Sequence, residues 1–192
     1  MKKQRKKRII VVAAVVVLAV LVGIGIKIYQ RTQVKTYIFP KDLIDYAGLT
    51  VERQIEAINR DNKTEDVCTA VYANEDGSIS LELNEKQWNW WFNTISNQIS
   101  DYENSVAQNG GKLEVSENRK SVIFEVFPDL SMEYIHTKSF LATVCAAEYQ
   151  ILTGNTENWE IYLCFKNIET GEIIAEGTLP YDTIEFTDAD IK

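Results

Sequence analysis

A chain of 192 residues, 45% hydrophobic and 10% aromatic with only three prolines, is too apolar for wholesale disorder and long enough for one domain plus an anchor. Its formal net charge is −8, but eight of the 20 Lys and Arg lie in residues 1–31 and all 28 acids follow, so the rest of the chain sets 12 cations against 28 acids, a net of −16. That field repels nucleic acid and anionic envelope polymers and favours cations or basic partners, although plain solubility also accounts for it.

Residues 1–8 read MKKQRKKR, and residues 9–26 hold no charged or strongly polar side chain. Eighteen such residues span about 27 Å as a helix, enough for a membrane core. Lys27 snorkels at the end, and Tyr29 suits the interface, so 9–29 is expected to be a transmembrane helix. The basic tail 1–8 fixes that end in the cytoplasm and places the rest outside. A cleaved signal peptide is the competing reading. The apolar run exceeds the usual signal length, and Gly23 and Gly25 make only a weak small-x-small site. Cys68, the first cysteine, is too far along for lipid attachment near the anchor.

Residues 30–48 are expected to be a stalk, broken by Pro40 and Gly48, before an extracytoplasmic domain over 49–181. Thr50 is the expected N-cap of a short helix through residue 61, with Val51, Ile55 and Ile58 on one face. Residues 66–73 and 78–83 form a hairpin about Asp76-Gly77, and Ile79, Leu81 and Leu83 share a face. The clearest helix is 85–107. Asn84 caps it, Gln87 completes an N-x-x-Q capping box, and Trp88, Trp91, Phe92, Ile95, Ile99, Tyr102 and Val106 make one stripe. After Gly110-Gly111 a second hairpin runs LEVS-ENRK-SVIFEVF. A mostly apolar helix follows over 130–152, with a strand over 131–136 as the alternative. A third hairpin, WEIYLCFKN to EIIAEGTL, turns at Glu169-Thr170-Gly171, and 182–192 reads as an acidic tail. The expected fold is α+β: an antiparallel sheet of hairpins with two helices packed on one face.

The chemistry is sparse. No nucleotide-binding glycine motif occurs, and His136, the only histidine, has no recognisable nucleophile signature around it. No catalytic, metal or cofactor residues are assigned. Residues 72–83 resemble a calcium loop, but Tyr72 and Leu83 stand where the first and last carboxylates belong, so a hairpin turn accounts for them. Acids near Glu185, Asp188 and Asp190 are read as solvated rather than as a loose cation site. An odd count of cysteines excludes a fully paired framework. Cys145 and Cys164 read as buried apolar residues, with one bridge left open by the outer location. Glu148 is the odd polar residue in an apolar helix: either buried with a raised pKa or on a narrow solvent face. Trp90 lies off the core stripe beside Asn89 and Asn93. These three are the candidate contacts for a sugar or a partner, with edge packing as the plainer account.

NEDGSISLEL followed by NEKQWNWWF, SVIFEVF, EYQILTG and NIETGEIIAEGTLP resembles a group of small extracytoplasmic proteins of Gram-positive anaerobes, membrane-anchored or lipoproteins. The likeness covers about residues 66–181. It implies an extracytoplasmic α+β domain and transfers no catalytic residue. The chain departs from the lipoprotein members in lacking a cysteine at the anchor. The expected function is a non-catalytic, membrane-tethered interaction module meeting membrane lipid through 9–29 and an envelope protein through its domain. A small-ligand or cation-binding domain is the alternative, and a hydrolase the third reading.

Overall fold

The computed structural model describes residues 33–127, 129–154 and 158–191. The expected tail 1–8 and membrane helix 9–29 lie outside these. No helix among the described residues is long and apolar enough to cross a membrane.

The stretch expected as a stalk holds the first two elements, β1 (Lys35–Phe39) and α1 (Lys41–Tyr46). Apolar burial is the reason: Tyr37, Phe39, Leu43 and Ile44 are all buried, which no free stalk would allow. Pro40 separates the elements as the extended N-cap of α1, and its carbonyl accepts from Leu43 N and Ile44 N. Helix α2 (Val51–Glu65) runs a turn beyond its expected end, capped by the Thr50 hydroxyl on Arg53 N at 3.3 Å. It stops where Asp66 turns left-handed, φ 54°. The hairpin of β2 (Ala70–Ala73) and β3 (Ile79–Leu83) is as expected. Asp76 Oδ1 accepts from both the N–H and the hydroxyl of Ser78, which makes it a turn ligand for its own chain. Strand β1 adds antiparallel to the other side of β3, giving the order β1-β3-β2 with Tyr37, Phe39, Val71, Ile79 and Leu81 on one face.

Helix α3 (Glu85–Gln108) carries the expected capping box. Asn84 Oδ1 accepts from Gln87 N, and Gln87 Oε1 accepts from Asn84 N, each at 3.0 Å. Then come β4 (Lys112–Val115), β5 (Ser121–Val126), α4 (Met132–Gly154), β6 (Ile161–Asn167), β7 (Ile173–Leu179) and a short α5 (Asp188–Ile191). Residues 132–136 are helical, so the alternative strand at 131–136 does not form.

The expectation of one antiparallel sheet needs correction. There are two sheets, and the second, in the order β4-β5-β6-β7, is mixed because β5 and β6 run parallel. Helix α4 causes this. It carries the chain from the end of β5 back to the start of β6, so the two strands enter the sheet in the same direction. Helices α3 and α4 pack on each other, α3 reaching β3 and β4 while α4 covers β5, β6 and β1. Both sheets therefore share the helix pair, and one buried cluster runs from Phe39 and Leu81 to Phe124 and Ile161. The outer face of the second sheet carries charged pairs, with Lys112 bridging Glu114 and Glu125, beside Ile123 and Cys164.

The segment expected as an acidic tail is also packed. Phe186 and Ile191 are buried, Ile184 is partly buried against the core, and Asn167 Nδ2 donates to Ile191 O at 3.4 Å. We call residues 180–187 the strap. All three cysteines are free and buried.

Candidate functional site

An open cleft of about 780 Å³ lies between α1, the first half of α4, the inner face of β6, the end of β7, and the strap. Tyr46 closes one side, its ring 5.4 Å from Phe140 and 5.6 Å from Trp159. Trp159 is fixed in turn by its indole N–H, which donates to Asp42 Oδ1 at 3.0 Å. Burial raises the Tyr46 hydroxyl above the ordinary tyrosine range. Leu163, Phe165 and Leu179 contribute from the strands, and Pro180, Asp182, Thr183 and Ile184 from the strap. Phe186 anchors the strap, its ring tilted against Phe165 at 4.5 Å and lying 5.1 Å from the His136 ring. The strap comes this close because β7 offers a glycine there. A Cβ at Gly177 would stand 2.9 Å from Ile184 Cγ1 and 3.0 Å from Asp182 Cβ.

His136, Ser139 and Asp182 share the cleft, so it holds the residue types of a hydrolytic triad. Their bonding differs from one. The buried Ser139 hydroxyl donates to the backbone oxygen of His136 at 3.1 Å, a local helix bond. Asp182 Oδ2 accepts from Thr178 N at 2.6 Å and holds the strap to β7. Among the described residues no hydrogen bond joins the His136 ring to either group, so the chain of nucleophile, base and orienting acid is not assembled. No group of three or more His, Cys, Asp or Glu among the described residues is placed to hold a metal ion.

The sequence candidates lie elsewhere. Trp90 is half-buried, edge-on to Trp91 at 5.5 Å, and its indole N–H donates to Glu65 Oε2 at 2.9 Å. That ties the end of α2 to α3. Asn89 and Asn93 are exposed, and Asn89 Nδ2 donates to Glu85 O one turn back. Trp88 and Trp91 donate to Leu152 O and Val67 O, each at 2.9 Å, so each stripe indole also satisfies a main-chain oxygen.

Glu148 lies a turn beyond Cys145 on α4. It is partly buried, and loss of water around its carboxyl pushes its pKa up to about 7. The Cys145 thiol is raised further by burial first and by Glu148 second, and it lies 3.4 Å from Gln98 Oε1 on α3. Neither residue lines the cleft.

The chain matches no family model, and no curated protein or solved structure is significantly similar to it.

Tyr46, Asp182 and Ile184 were missed as site residues because they fall in the expected stalk and tail. A signal was present. Leu43, Ile44 and Tyr46, and then Ile184, Phe186 and Ile191, recur at spacings that free polar linkers do not need.

Proposed function

We propose that the chain is a membrane-tethered extracytoplasmic binding module, non-catalytic, that holds an envelope protein partner. The tether is the apolar run 9–29 behind its basic tail. The observation that carries the binding reading is the cleft. It is open and walled largely by apolar side chains, and its Ser139 and Asp182 are bonded to backbone rather than to each other. The test is a membrane-impermeant crosslinker on intact cells carrying the full-length chain, followed by mass spectrometry. A reproducible protein partner attached through lysines beyond residue 32 is expected. No modification of those lysines would refute the outer location, and self-crosslinks alone would refute the partner.

A second reading has its own support, because about 780 Å³ also lies within the range of small-ligand sites. It predicts a raised melting temperature for the full chain with a cell-wall sugar or a divalent cation. Unchanged melting across both sets removes it.

A further inference from the structure

Resting on that reading, the geometry points to the partner's chemistry: the cleft takes a protein segment that carries an apolar side chain flanked by Lys or Arg. Two observations combine. The first is shape and surface. A cleft of about 780 Å³ between Phe140, Phe165 and Ile184 has room for several side chains and offers them mostly hydrocarbon and aromatic wall. The second is charge. Asp182 is the only Asp, Glu, Lys or Arg among the lining residues, and it is exposed.

The elements that build the cleft extend the same sign. Helix α1 adds Asp42, the strap adds Glu185, and α4 adds Glu133, all exposed. Their nearby cations are engaged elsewhere. Lys41 pairs with Asp45, and Lys138 stands over the rings of Tyr102 and Tyr134, 5.4 and 5.6 Å from their centres. Lys166 belongs to the outer face, opposite Glu125 in the strand register. An acidic segment meets repulsion at this mouth, whereas a basic one is steered to it. The Asp182 carboxylate is held in position by its bond from Thr178 N, so a cation meets a fixed charge at the edge of an apolar slot.

The test places a benzoylphenylalanine photocrosslinker in the full-length chain in its native membrane. One probe replaces Thr183 on the cleft rim. A control replaces Tyr72, which is 44% exposed on the first sheet. Captured peptides are identified by mass spectrometry. The Thr183 probe is expected to capture a partner segment with an apolar residue next to Lys or Arg. Asp182→Asn, which keeps an acceptor for Thr178 N, should lower the yield about five-fold, and Asp182→Glu should retain it. Capture of uncharged or acidic segments, of lipid alone, or a yield unchanged in Asp182→Asn overturns the inference. Capture from Tyr72 but not from Thr183 overturns the cleft while leaving the tethered binding module standing. No capture from either position sinks both.

Discussion

Glu148 shows how one side chain sets a pH response. Its folded carboxyl keeps a proton up to about 7, against an ordinary value of 4.5. Between these values the folded state binds more protons than the unfolded chain, so stability falls as pH rises from 4.5 through 7. A shift of that size is worth about 3 kcal/mol in full, at roughly 1.4 kcal/mol per pH unit. Glu148 is only partly buried by surface area, so water reaches it and about 1–2 kcal/mol is the better expectation. Asp66 and Asp76 act in the other direction and at lower pH. Lys86 lowers the first and Ser78 the second, so their contribution is lost only as pH falls below the ordinary carboxylate range. Urea unfolding of the full chain in detergent at pH 5 and pH 8 separates the two effects. Wild type should be less stable at pH 8 by that amount, and Glu148→Gln should remove most of the difference. A variant with the wild-type pH profile would assign the slope to another group.

At the scale of elements, Gln87 joins three segments. It is 3% exposed, its Oε1 accepts from Asn84 N and Thr69 Oγ1, and its Nε2 donates to Asp66 Oδ1. The start of α3 is thus tied to the end of α2 and the strand that follows. Gln87→Ala should cost about 2–3 kcal/mol by leaving these partners unpaired, whereas Asn84→Ala, losing a cap, should cost about 1 kcal/mol. Equal losses in denaturant melts would mean that Gln87 acts only within its capping box. Gly177 joins β7 to the strap in another way, by having no Cβ. Gly177→Ala should cost about 1–3 kcal/mol and free the strap to earlier proteolysis, read by mass spectrometry of the fragments. The capping box was legible because it is local: Asn84 and Gln87 are three residues apart and answer to one helix geometry. The tie to Asp66 was not, because the sequence does not reveal which loop packs beside a helix start. The cleft was illegible for the same reason. Tyr46 and Asp182 are separated by most of the domain in sequence and meet only when α1 and the strap close on α4.

At the scale of the molecule, hairpin patterns identified which segments are strands but not how the hairpins join. The alternation of Val122, Phe124 and Val126 gives β5 an inner face whether its neighbour runs parallel or antiparallel. Only the return path of α4 decides between them. The same helix raises a question about cooperativity, since α4 touches β1 of one sheet and β5 and β6 of the other. If the shared helices make both sheets one unit, the three buried thiols should be exposed together. They are well placed to report this. Cys68 leads into the first sheet, Cys145 lies on α4, and Cys164 is in the middle of β6. Native protein at pH 7 should leave all three unmodified by an alkylating reagent, because burial blocks access and raises the Cys68 and Cys145 thiols. In a urea series, mass spectrometry should find the three modified with a common midpoint. Modification of Cys68 at lower urea than Cys164 would show that the three-stranded sheet opens alone. The helix pair would then serve the second sheet first, and the first would be held mainly by Tyr37, Phe39 and the α3 indoles.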